Sequence, residues 1–208
     1  MTAHAAGPAE KPVANSRFLF LKKFLRHGTS VASVAPSSRS LGRATAKMVD
    51  PDRPQTILEL GAGTGAITRA IVERMHPQSR LIAVEIDQDF AAICRQRFPQ
   101  ADVLTADVTE LRGHLQQRGI SSFDLVVSGL PTPSLPRHVN AAVLQCVQDY
   151  AASSYFSQLT VMPLVYWPMY KRLFERVKFV PVLRNIPCAG VYHCQKLRPD
   201  WQQRIPGK

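Results

Sequence analysis

Ile57-Leu58-Glu59-Leu60-Gly61-Ala62-Gly63-Thr64-Gly65 decides how this chain folds. The first four residues read as a buried strand, and the three alternating glycines read as a tight turn entering a helix expected over Ala66 to Met75. Without a Cβ, glycine takes positive φ and lets backbone amides come close to a ligand at the N-terminus of the next helix. The stretch therefore reads as a nucleotide site. Its spacing, Gly61-x-Gly63-x-x-Ala66, also satisfies a loose dinucleotide fingerprint with alanine in third place, so the loop alone leaves the nucleotide open.

Acidic residues narrow the choice. Glu59, two positions before the first glycine, would set a carboxylate beside a ligand's ammonium group and would repel a pyrophosphate. Leu81-Ile82-Ala83-Val84-Glu85 reads as a second buried strand whose terminal acid can accept both ribose hydroxyls, a role that suits NAD equally well. A third strand, Val103-Leu104-Thr105-Ala106, delivers Asp107 within reach of an adenine amino group or, alternatively, as the cap of the next helix. Carboxylates at three successive strand ends fit a cofactor without phosphates, and S-adenosylmethionine has that chemistry.

The 208 residues suffice for one well-buried α/β domain. Cys94, Cys146, Cys188 and Cys194 form no CxxC pair and read as reduced thiols, with no metal site expected. No run of about 18 apolar residues appears, so no bilayer span is expected. The net charge of +11 is uneven: residues 1–50 carry eight Lys/Arg against two acids, residues 163–208 nine against two, and the middle is slightly acidic. Cationic flanks around an acidic cofactor core suit a polyanionic partner, either RNA or an anionic membrane surface.

Residues 1–16 lack periodicity and read as a disordered tail, and 17–50 as an amphipathic helix with a cap region. Within Arg17 to Arg26, Phe18, Phe20, Leu21, Phe24 and Leu25 share one helical side, with Lys22, Lys23 and Arg26 opposite. Such a helix lies in a lipid interface or packs its stripe over the domain. A linker from Val31 leads to a helix expected over Arg39 to Val49, and residues 51–198 form the main domain. There strands and helices alternate as in a parallel sheet. The fourth strand, Phe123 to Ser128, opens into Gly129-Leu130-Pro131-Thr132, the expected catalytic lip. A helix over Pro136 to Tyr150, a fifth strand over Gln158 to Leu164, an aromatic stretch and a closing hairpin (Val177 to Leu183, Gly190 to Lys196) follow. Residues 199–208 read as a flexible tail.

The run Glu59 to Gly65, with Glu85 and Asp107 behind it, resembles the class I S-adenosylmethionine-dependent methyltransferases. That resemblance implies a Rossmann-like, doubly wound sheet of seven mostly parallel strands whose last strand is antiparallel. It assigns Glu59, Gly61, Ala62, Gly63, Gly65, Glu85, Ile86, Asp107, Val108 and Ser128 to the cofactor, and Ser128, Gly129, Leu130 and Pro131 to the reacting amine. His138 and Tyr192 are possible proton acceptors.

Three further pieces, Ala35-Pro36-Ser37-Ser38-Arg39, Ser128-Gly129-Leu130-Pro131 and Leu183-Arg184-Asn185-Ile186-Pro187, resemble bacterial phospholipid N-methyltransferases. The narrower resemblance implies stepwise methylation of phosphatidylethanolamine to phosphatidylcholine by a monomer held peripherally on the inner face of the cell membrane. It makes Arg17 to Arg26 the anchor and lid, Ser37 and Ser38 a closure over the cofactor, and Arg184 or a neighbouring cation the holder of lipid phosphate. Met162-Pro163-Leu164 departs from the Tyr-Gly turn of related chains and keeps an ornithine lipid open as substrate. An RNA adenine dimethyltransferase would explain the charge, but Thr132 stands where its stacking aromatic belongs. A non-catalytic binding module is the remaining alternative, and the intact glycines and acids weigh against it.

Overall fold

A computed structural model describes residues 36–132, 135–182 and 189–205, with residues 36–38 as backbone only. The strands are β1 (Thr56–Leu60), β2 (Arg80–Glu85), β3 (Ala101–Thr105), β4 (Leu125–Ser128), β5 (Tyr155–Thr160), β6 (Phe174–Val182) and β7 (Ala189–Leu197). They form one sheet in the order β3-β2-β1-β4-β5-β7-β6. β1 to β5 pair in parallel, and β7 runs antiparallel to both β5 and β6. This is the doubly wound, seven-stranded α/β fold expected above.

The described helices are α1 (Pro36–Thr45), α2 (Ala66–Val72), α3 (Gln88–Arg97), α4 (Leu111–Gln117), α5 (Arg137–Tyr150), α6 (Pro163–Leu173) and α7 (Trp201–Arg204). Side chains alternate across a strand, so both faces of the central strands must be apolar for helices to cover both. Leu58 and Leu60 join a core with Val143, Leu144 and Val147 of α5. Ile57 packs on the other face with Ile67 and Ile71 of α2. All three strand residues are fully buried, each contributing about 1.5–3 kcal/mol. Glu59 shares parity with Ile57 and therefore lies on the α2 side of the sheet.

Register brings the functional strand ends level. Leu60 stands opposite Val84 of β2 and Ser128 of β4. The Gly61 and Ala62 amides both donate to the Val84 carbonyl, and Gly129 donates to Leu60. Because β1 has β2 on one side and β4 on the other, its C-terminal end is the switch point where open α/β sheets form a crevice.

The structure corrects several expected boundaries. The fifth strand ends at Thr160, and Pro163, which cannot donate to a sheet ladder, starts α6 instead. The helix expected from Arg39 begins at Pro36, and a short 3₁₀ turn, Ala46–Met48, continues it. The tail expected to fray from residue 199 forms α7, with Trp201 and Ile205 buried in the core. The expected anchor residues Phe18, Phe20, Leu21, Lys22, Lys23, Phe24 and Arg26, and also Arg184, lie outside the described residues.

Candidate active site

The three glycines of the loop serve different ends. Gly61, Gly63 and Gly65 have φ of 76°, 56° and 90°. A Cβ on Gly61 would sit 2.6 Å from Leu130 Cδ2, and one on Gly65 would sit 2.2 Å from the Phe98 ring, so both positions are set by protein packing. A Cβ on Gly63 would meet nothing within 4 Å. Space for a ligand against the loop backbone opens at that position.

Glu85 braces the same loop. Its Oε2 accepts from the Gly63 amide at 2.8 Å and its Oε1 from the Asp87 amide at 2.9 Å. Burial raises its pKa, and the Asp87 and Gly63 amides oppose the rise. Each oxygen keeps acceptor capacity for a ligand hydroxyl. Ile86, next to it, stands 41% exposed.

Glu59 is fully buried, and among the described residues neither of its oxygens has a hydrogen-bond partner. Burial pushes its pKa up to about 7; nearby Thr68 pulls it down, and Glu85 adds to the rise. A buried carboxylate with both oxygens unsatisfied is costly unless a cationic or hydrogen-bonding group meets it. Asp107 is half-buried, and its Oδ1 accepts from both the amide and the hydroxyl of Thr109 at 2.8 Å. Those bonds close a turn ahead of α4, whose cap position is Glu110, so Asp107 does not cap that helix, and its Oδ2 stands outside those two bonds.

The lip after β4 is held by β5. Gln158, 1% exposed, donates its two Nε2 protons to the carbonyls of Leu130 at 2.7 Å and Leu159 at 2.8 Å, with the Ser128 carbonyl sharing one of them at 3.3 Å. Its Oε1 accepts from the Thr132 hydroxyl at 2.6 Å. The Leu130 carbonyl also accepts from the Thr132 amide, at 2.8 Å, while the Thr132 hydroxyl, whose one proton goes to Gln158, lies 3.2 Å from it. Gly129 packs so closely that a Cβ would lie 2.9 Å from the Gly61 carbonyl oxygen. The Ser128 hydroxyl is buried without a partner among the described residues.

Comparison with known proteins gives this geometry a family. The methyltransferase-domain family profile matches residues 57–152, from β1 to the end of α5. The ornithine lipid N-methyltransferase of Singulisphaera acidiphila is 46% identical over 188 residues, which cover 88% of this chain and 98% of that enzyme. The chain belongs to the class I S-adenosylmethionine-dependent methyltransferases.

A methyltransferase from Burkholderia thailandensis, 1,6-didemethyltoxoflavin-N1-methyltransferase crystallised with its substrate and S-adenosylhomocysteine, shares the fold at a TM-score of 0.63. Its identity is 17%, with 93% of this chain and 94% of that one covered. The ribosomal RNA small subunit methyltransferase A of Mycoplasma capricolum is 32% identical, over 40% of this chain and 32% of that enzyme.

In methyltransferase terms, the structure brings the glycine loop, Glu85 and the lip together at one crevice. One expectation is corrected. The Leu130 carbonyl, one of the groups expected at the reacting amine, already accepts from the Gln158 side chain at 2.7 Å and the Thr132 amide at 2.8 Å, which take up its two lone pairs. The Gly129 carbonyl is used by none of those bonds. His138 is exposed on α5, in a groove with Trp201 and Ile205. Tyr192 donates its hydroxyl to the Pro163 carbonyl, and burial pushes its pKa up to about 12. Ser37 and Ser38 lie at the start of α1.

The sequence reading missed Gln158 and the bond that ties Thr132 to it. A glutamine inside an otherwise buried strand was the available signal, since a buried amide needs partners on both of its ends.

Proposed function

We propose that this methyltransferase moves a methyl group from S-adenosylmethionine to the amine of a membrane lipid head group, with an ornithine lipid as substrate. The observation that carries the reading is the 46% identity to an ornithine lipid N-methyltransferase along 98% of that enzyme. Phosphatidylethanolamine, the substrate put first from sequence, has no comparable support and gives way to the ornithine lipid. The exposed apolar side chains of Met162, Leu164 and Val165, at the entry to α6, suit a lipid-facing rim. The RNA reading is weaker, because the RNA methyltransferase similarities cover half of the chain or less, against 88% for the lipid enzyme, and Thr132 is tied to Gln158 where a stacking ring would stand.

The residues present fit the cofactor. Gly63 leaves its space open, Glu59 offers an unsatisfied acid to an ammonium, Glu85 offers acceptors to ribose hydroxyls, and Ile86, Asp107 and Val108 would flank the adenine. The cofactor supplies an electrophilic methyl group on a sulfonium.

The chain's part is positioning and exclusion of water. The Ser128 hydroxyl and Gly129 carbonyl would orient the neutral amine, on a lip that Gln158 keeps in place. Burial holds the phenols of Tyr170 and Tyr192 too far up in pKa to take a proton near neutrality. Neither tyrosine can therefore serve as the base for the amine.

Purified protein with methyl-labelled cofactor, offered ornithine lipid, phosphatidylethanolamine and total RNA in parallel, tests the reading. Label in ornithine lipid is expected. Label in RNA with none in any lipid would overturn it.

A further inference from the structure

Outside the crevice, four arginines surround a cavity of about 160 Å³ on the outer side of α2. Arg39 and Arg43 come from α1, one helical turn apart, Arg69 from α2 and Arg97 from the end of α3. Thr64, Gly65 and Ala66 form its wall. The pocket is built by a close helix contact: a Cβ on Gly42 would lie 3.1 Å from the Ala66 carbonyl oxygen and 3.2 Å from Ala70 Cβ. That contact draws α1 onto α2 and sets Arg39 and Arg43 beside Arg69 and Arg97.

The charges are poorly balanced. Glu73 is the one acid lining the cavity, and among the described residues Arg39, Arg43 and Arg69 form no ion pair. Arg97 donates to the Thr64 carbonyl at 3.2 Å. Arg39, Arg43 and Arg97 are exposed and Arg69 is half-buried, so solvent screens part of their mutual repulsion, and an anion between them would relieve the rest. Their planar fork of donors matches phosphate oxygens.

We propose that this cavity is a phosphate site, taking the phosphate of a lipid head group or of a soluble phosphate ester against the outer wall of the glycine loop. The proposal is independent of which amine is methylated.

The test follows arginine Nε–Hε resonances of the full-length, ¹⁵N-labelled protein during titration with inorganic phosphate, with sodium chloride of equal ionic strength as control. Saturable shifts are expected with phosphate alone. Arg43→Gln and Arg69→Gln should each weaken binding about tenfold, as loss of a charge-assisted contact implies. Glu73→Gln should tighten it, a gain that damage to the fold cannot imitate. S-adenosylhomocysteine affinity should stay unchanged in all three variants.

Flotation with phosphatidylcholine vesicles, with and without phosphatidylglycerol, distinguishes the source. Reduced flotation of Arg43→Gln and Arg69→Gln, with competition by inorganic phosphate in the parent protein, assigns the site to lipid. Phosphate binding with flotation indifferent to the variants assigns it to a soluble ester. Absence of a saturable shift, or unchanged phosphate affinity in both arginine variants, would overturn the proposal. So would loss of S-adenosylhomocysteine affinity in those variants, which would place the arginines in the cofactor pocket.

Discussion

Replacing Glu59 by glutamine should make the protein more stable above neutrality and leave it unchanged in acid. In the fold this carboxyl is fully buried, with its pKa raised from 4.5 to about 7. Below pH 4.5 it is protonated in both the folded and the unfolded chain, so it costs nothing. Between 4.5 and about 7 the unfolded chain releases the proton while the folded one retains it, and stability falls as pH rises. Above about 7 the whole cost is present, and at about 1.4 kcal/mol per pH unit it amounts to about 3 kcal/mol. Against a total of about 5–15 kcal/mol this is readily measured. Glutamine has nearly the same shape and carries no charge at any of these pH values. Urea unfolding from pH 4.5 to 8.5 should give two curves that meet at the acid end and separate by about 3 kcal/mol at the other. Curves that stay parallel across the range would refute the reasoning. Under the proposed function, the stabilised variant should also bind S-adenosylhomocysteine more weakly, a trade of function for stability.

The neighbouring glycines should separate cofactor binding from folding. Gly63→Ala puts a methyl group into open space, so calorimetry should find S-adenosylhomocysteine affinity lost while the strain of a positive φ costs only about 1–2 kcal/mol of stability. Gly65→Ala drives a methyl into the Phe98 ring and should mainly lower the melting temperature. Gln158→Leu removes the donor contacts to the Leu130 and Ser128 carbonyls of the lip and should cost about 1–3 kcal/mol, with turnover falling and cofactor affinity retained in steady-state and binding assays. Trp201→Ala should cost about 3–5 kcal/mol in denaturant unfolding, and a loss below about 1 kcal/mol would mean that α7 does not anchor the C-terminal segment.

What could be read from sequence was local or periodic. The strand ending at Leu60, the glycine turn and the acids at Glu85 and Asp107 follow one another within short distances and carry their own punctuation. The fifth strand was misjudged because Val161, Met162, Leu164 and Val165 continue an apolar run, and hydrophobicity alone does not show that Pro163 opens a helix there. Trp201 was missed because a single aromatic docking into a core leaves no period. Gln158 and its partners Leu130 and Thr132 are 26 to 28 residues apart, and the arginines of the outer cavity come from three different helices. Such groupings are made by the topology of the sheet, and no window of sequence holds them.

The placement of β7 also bears on how the chain matures. Because, among the described residues, β6 pairs with β7 alone and β7 bridges it to β5, β6 is made before its neighbour in the sheet exists. A polypeptide emerging from the ribosome can assemble β1 to β5 early, but one edge of β5 stays open until residues 189–197 have left the exit tunnel. Nascent chains stalled short of that point would expose a bare strand edge, the form most prone to stick to other chains or to recruit a chaperone.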